Sequence, residues 1–167
     1  QADLVFSDLI YGLGAGIFFA GYFFFEVPSN LMLARVGARK TMLRIMLCWG
    51  AISAAMMFVK TPEQFYLMRF LLGAAEAGFF PGVMLYLTYW YPASRRARII
   101  ALFFTAIAMT GVVGGPLSGW LMTAMHGVAG YSGWQWTLVI EGLPACMLGV
   151  LAYKWLDDKP EDAKWLT

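Results

Sequence analysis

The sequence predicts an all-α polytopic membrane protein with five transmembrane helices. The 167 residues are 60% hydrophobic and only 13% charged, whereas a soluble domain averages roughly 45–50% apolar and about 25% charged. Five apolar stretches, 9–33, 41–59, 65–90, 99–125 and 134–156, stand out along the chain. About 20 helical residues cross a hydrocarbon core, so each stretch is long enough. Lipid offers no partner to the backbone of an open sheet, so the spans are expected as helices.

The first span opens at Ser7 and Asp8, an N-cap and an acidic first turn. Residues 35–40 are expected to join the first two spans, 60–64 the second and third, 91–98 the third and fourth, and 126–133 the fourth and fifth. Links this short make consecutive helices antiparallel neighbours. Arg35, Arg39, Lys40 and Arg44 flank the first link, and Arg95, Arg96 and Arg98 the third. Lys60 alone is basic in the second, and the fourth has no Lys or Arg. By the positive-inside rule the N-terminus lies outside and the C-terminus is cytoplasmic. Trp90, Tyr91, Trp134, Trp136 and Trp155 fall near span ends, where aromatic rings anchor at the interface. Residues 1–156 therefore read as a transmembrane bundle. The polar residues 157–167 read as the start of a cytosolic loop, with Asp158 before Pro160 as the cap of a helix. The odd number of spans and the absence of an initial methionine suggest a piece of a longer protein.

A net charge of +2 does not point to nucleic acid. Cys48 and Cys146 lie apart in apolar runs, and His126 has no nearby residue of metal-ligand type. The sequence holds no P-loop, dinucleotide fingerprint or nucleophile elbow. Neither an enzyme nor a metal or organic cofactor is expected.

Charged residues inside the spans carry the functional reading. Arg69, Glu26, Glu76 and Glu141 lie within apolar stretches, where a charge at mid-bilayer costs about 2.5–3.5 kcal/mol on insertion scales. Such groups face a cavity or a neighbouring helix. Arg69 and Glu76 are seven residues apart, about two turns, so they share a helix face roughly 10 Å apart and can line one cavity. Arg69 offers a fork of donors to a carboxylate and keeps its proton. Glu76, near mid-span, is suited to take up and release one. A fixed cation beside a titratable acid fits proton-coupled uptake of an anion. Tyr22 and Glu26 are one turn apart on the first span, Tyr22 either a donor to substrate or part of the aromatic packing around it, and Glu26, near the cytoplasmic end, either a gate or an interhelical structural group. Glu141 reads as structural. Gly111, Gly114, Gly115, Pro116 and Gly119 let one helix pack closely and bend.

Several stretches resemble the major facilitator superfamily, and within it the anion:cation symporter family. Asn30-Leu-Met-Leu-Ala-Arg-Val-Gly-Ala-Arg-Lys40 is similar to the basic motif between the second and third helices, G-x-L-x-D-R-x-G-R-R/K. Arg35, Gly37 and Arg39 match, and Lys40 follows. Ala34 stands where the motif has its acid, so that acid's gate-locking role is not carried over. Arg69 and Gly73 match the fourth-helix motif, and its extension through Glu76 to Phe79-Phe-Pro-Gly82 resembles the symporter branch. Gly111-x-x-x-Gly-Pro-x-x-Gly119 matches the fifth-helix motif. Gly133-Trp-Gln-Trp136, Glu141-Gly-Leu-Pro144 and Pro160-Glu-Asp-Ala163 resemble the branch's sixth helix and exit.

The resemblance implies a partial N-terminal six-helix bundle, helices two to six of twelve, that rocks against a second bundle around a central site. It implies proton-coupled symport of a small organic anion such as a sugar acid, dicarboxylate or aromatic acid, the proton being the coupling ion. Arg69 and Tyr22 would bind substrate and Glu76 would carry the proton. Glu26, Arg35, Gly37, Arg39, Lys40, Gly111, Gly115, Pro116 and Gly119 would serve gating and conformational change. The expected partners are the bilayer, the anion and the remaining helices, in a bacterial inner membrane. A proton-driven exporter of hydrophobic cations and a transport-dead receptor remain as alternatives.

Overall fold

A computed structural model describes residues 7–163. Among them are six α-helices and three short 3-10 turns, with no strand. Helix α1 runs Asp8–Val36, and the Ser7 hydroxyl accepts the Ile10 N–H at its start, at 3.4 Å. Helix α2 runs Ala38–Ala55. Between them lies one residue, Gly37, not the link expected over 35–40. Its φ of 93° and ψ of 163° are open to glycine and closed to other residues. Arg35 therefore ends α1, and Arg39 and Lys40 begin α2.

The third apolar stretch forms two helices, α3 over Pro62–Glu76 and α4 over Phe79–Trp90. Thr61 and Gln64 close a reciprocal capping box at the start of α3, with Pro62 in the first turn. The break at Ala77 and Gly78 has a local cause. Pro81 has no N–H to offer the Ala77 carbonyl, and its ring crowds that carbonyl. Gly78 then takes a left-handed conformation with φ 85°. The Ala77 N–H closes α3 on the Gly73 carbonyl at 3.0 Å.

Helix α5 spans Ala93–Ala124 and α6 spans Gly133–Trp155. Arg95, Arg96 and Arg98, expected in a connection, lie in the first two turns of α5, because Pro92 starts the helix earlier. Arg96 reaches back to the Thr88 and Tyr91 carbonyls at the end of α4, each at 3.3 Å. Asp158 does not cap a following helix. Lys159 precedes a 3-10 turn at Pro160–Asp162, and 164–167 lie outside the described residues.

Two helix pairs form the main seams, α1 with α3 and α2 with α6. Both depend on glycine. A Cβ on Gly73 would overlap the Phe18 carbonyl, and one on Gly21 the Phe70 carbonyl. In the second seam a Cβ on Gly50 would lie 2.6 Å from the Gly142 carbonyl. Met56, Val59, Phe65 and Leu72 form the packed core at one end. Large apolar side chains cover the outside; Phe23 is 73% and Met147 70% exposed. A surface of this kind suits hydrocarbon, and all five expected spans are long and apolar enough to cross it.

Candidate functional site

The α1–α3 seam sets two residue stripes side by side. Phe18, Tyr22 and Glu26 recur every four residues on α1, and Phe65, Arg69, Gly73 and Glu76 recur every three or four on α3. Gly73 lets the stripes approach until its Cα meets the α1 backbone at Phe18 and Tyr22.

Arg69 is half-buried in this seam. Its guanidinium carbon lies 5.6 Å from the centre of the Phe18 ring and 5.7 Å from that of Phe65. Two aromatic faces hold the cation without using its N–H groups. The buried Nε has no hydrogen-bond partner. The Phe18 ring continues the contact to Tyr22, at 6.4 Å between centroids. The Tyr22 phenol lies within range of the charges on Glu26 and Glu76.

Glu76 is the last residue of α3, at the break. It borders a cavity of about 80 Å³ with Ile45, Met46, Trp49 and Phe79, on the side facing α2. Arg69 does not line that cavity, so the single shared cavity expected from their seven-residue spacing is not what encloses Glu76. The two residues belong to one stripe, yet across the helix Arg69 meets Phe18 of α1, while Glu76 lines its cavity with α2 residues and Phe79 of α4.

The kink beside Glu76 is braced by residues the sequence reading passed over. Ser29 of α1 is 4% exposed and packs against Gly78, where any Cβ would collide with it. Arg44 of α2 donates to the Ser29 hydroxyl at 2.6 Å. Arg44 had registered only as one more basic residue. Gly78 with Pro81 was the available signal for a break.

The basic motif is engaged at the other end of the bundle. The Asp158 carboxylate accepts the Arg39 backbone N–H at 2.8 Å and fills the space above Gly37. The Arg39 side chain donates to the Tyr153 carbonyl at 3.1 and 2.7 Å and lies 5.2 Å from the Tyr153 ring centre. Tyr86 of α4 donates to the Asp157 carbonyl at 3.0 Å. The Gly37 link, α2, α4 and the end of α6 thus converge on one clamp. Arg35 and Lys40 are exposed beside it. On α5, Gly111, Gly115 and Gly119 have nothing within 4 Å of a notional Cβ among the described residues, and Pro116 lies inside the helix.

Over residues 1–167 the chain matches the Major Facilitator Superfamily. The chain belongs to that family. It is 56% identical over 165 residues to a protein of Agrobacterium vitis provisionally named a tartrate transporter, covering 99% of this chain and 36% of that one. It is 50% identical over 166 residues to a quinolone resistance transporter of Acinetobacter baumannii, covering 99% of this chain and 38% of that protein. It is 46% identical over 167 residues to the inner membrane transport protein RhmT of Escherichia coli K12, covering all of this chain and 39% of that one. The chain thus spans less than two-fifths of these relatives. Family and names together indicate a multi-pass membrane protein of transport rather than an enzyme.

Proposed function

We propose that this chain is part of a transporter that imports a small organic anion, such as a sugar acid, dicarboxylate or aromatic acid, together with protons. The transporter works by alternating access and belongs to the anion:cation symporter branch. The observation that carries the reading is Arg69, held between two aromatic faces with a buried Nε that has no partner. A cation positioned by ring faces keeps its planar donors for a carboxylate. Tyr22, one ring contact away, supplies a second donor to the substrate.

Glu76 carries the proton in this reading. Its position at the end of a half-helix supports that role, because a helix C-terminus opposes a fixed negative charge. Neutralising the carboxyl at this point and releasing its proton on the other side couples the gradient to the anion. The charge asymmetry across the spans supports an orientation with the clamp at Gly37 inside, and the bacterial relatives support a bacterial cytoplasmic membrane. Glu26, Arg35, Gly37, Arg39, Lys40 and the α5 motif then belong to the changing conformation.

The test is uptake of labelled anions by the intact transporter in proteoliposomes. Arg69→Ala is expected to abolish saturable uptake, and Arg69→Lys to weaken affinity at least tenfold because the fork is lost. Glu76→Gln is expected to abolish accumulation driven by a pH gradient while leaving anion exchange. Gradient-driven accumulation by Glu76→Gln would refute the coupling role. The fifth-helix motif at Gly111–Gly119 motivates a second reading, proton-driven export of hydrophobic cations or drugs, and the quinolone-resistance relative supports the drug part of it. Cationic-dye efflux by the wild type, with no anion uptake, would favour that reading over the first.

A further inference from the structure

Beside the clamp lies a cavity of about 280 Å³ that the anion site does not use. Tyr86, Trp90 and Tyr91 line it from the end of α4, and Trp155 and Asp157 from the end of α6. The rings of Tyr86 and Trp90 stand 5.7 Å apart between centroids. Tyr86 donates its hydroxyl proton to the Asp157 carbonyl, which leaves the carboxylate of the same residue uninvolved. Among the described residues that carboxylate has no hydrogen bond or ion pair, and no basic side chain lines the cavity. Four aromatic rings and an unpaired acid suit an ammonium group. The ring faces attract the cation, and the carboxylate balances its charge.

We propose that this cavity binds the headgroup of a zwitterionic phospholipid, its ammonium among the rings and Asp157 and its phosphate toward the start of α5. The depth fits. Trp90 is the last residue of α4 and Trp155 the last of α6, and rings at span ends lie level with headgroups. The charge also changes sign beside the cavity. Arg96 donates to the Tyr91 carbonyl at 3.3 Å, and Arg95 and Arg98 next to it are exposed. The cationic turns of α5 thus begin where the aromatic wall ends, and a headgroup with both charges meets both. An acyl chain has a track as well. Leu151 and Leu148 lie one and two turns before Trp155 on α6 and are 38% and 56% exposed. That stripe leads from the cavity toward the hydrocarbon, and a soluble amine would leave it uncovered. A lipid bound here bridges α4 and α6, the elements that the Tyr86 contact joins at the clamp. The site is separate from Arg69 and holds whichever substrate is carried.

Native mass spectrometry of the intact transporter reads this without measuring transport. Phosphatidylethanolamine and phosphatidylglycerol with the same acyl chains are titrated onto delipidated protein; the first carries phosphate and ammonium, the second phosphate alone. The ethanolamine lipid is expected to bind about tenfold more tightly, and equal binding would overturn the proposal. Asp157→Asn keeps the carbonyl that Tyr86 uses and removes the charge. It is expected to erase the preference while phosphatidylglycerol binds as before; a retained preference would overturn the proposal. Trp155→Ala removes a ring that is 77% exposed, and is expected to weaken the ethanolamine lipid about threefold; unchanged affinity counts against the cage. Glycerophosphoethanolamine, the same headgroup without acyl chains, is expected not to displace the lipid at equal concentration. Displacement would assign the cavity to a soluble amine and overturn the lipid.

Discussion

Gly37→Ala puts the clamp at the end of α6 to a quantitative test. At φ 93° and ψ 163° the backbone lies in a region reserved for glycine, and forcing alanine into it costs roughly 1–3 kcal/mol. The new Cβ would also stand 2.8 Å from Asp158 Oδ1 and 2.9 Å from Cγ, so the carboxylate must leave. It then gives up the Arg39 N–H. Hydrogen bonds to charged groups are worth about 1.5–3 kcal/mol, and the low end, ~1.5, suits a half-buried aspartate. Gly37→Ala should therefore destabilise by ~2.5–4.5 kcal/mol, and Asp158→Ala alone by ~1.5. The double variant should cost no more than Gly37→Ala, since the carboxylate is displaced only once. The pair is thus coupled by ~1.5 kcal/mol, measurable by reversible unfolding in mixed micelles as a double-mutant cycle. Strictly additive costs would show that Asp158 does not rest on Gly37.

Three further outcomes are expected. Gly73→Val should push α1 off α3 at Phe18 and Tyr22, destabilising by about 1–3 kcal/mol and lowering anion affinity at least tenfold in equilibrium binding; unchanged affinity would detach Arg69 from the seam. Arg44→Met should leave the buried Ser29 hydroxyl unpaired, at a cost of about 1–3 kcal/mol, and Ser29→Ala added to it should recover part of the lost Tm. Finally, Lys60→Cys should react with a membrane-impermeant maleimide on intact cells, and Lys40→Cys only after permeabilisation; the reverse pattern would invert the topology.

The shared helix face of Arg69 and Glu76 was legible because helix geometry turns spacing into a face, but the seam was not: short links pointed to consecutive helices as neighbours, and the main pairs are α1 with α3 and α2 with α6. The cap at Ser7 was legible for a similar local reason, whereas the capping box of Thr61 and Gln64 went unread inside a stretch taken as a connection. What surrounds the two charged residues was not legible either. Phe18 and Phe65 look like two more aromatics in an apolar run; Phe65 sits one turn before Arg69 on α3, and the close approach at Gly73 brings Phe18 of α1 to the same guanidinium. The break after Glu76 was written in Gly78 and Pro81, but hydropathy does not fall there, so a continuous span was the natural reading. Asp158 was the least accessible. Its partner Arg39 is 119 residues away, and its local setting before Lys159 and Pro160 resembles a helix cap. The basic motif lacks its acid at Ala34, and a carboxylate from the end of α6 stands at the neighbouring glycine instead.

The break at Ala77 and Gly78 changes what a displacement can do. An unbroken span is a single lever, and a tilt at one membrane face reappears undiminished at the other. Here α4 holds the exit clamp through Tyr86, while α3 holds Arg69 against α1. Under the proposed function, a joint between them would let the half of the span at Tyr86 swing without dragging Arg69, and let Arg69 shift without opening the clamp. Holding the anion and opening the bundle would then be separable movements, with Glu76 at the joint between them.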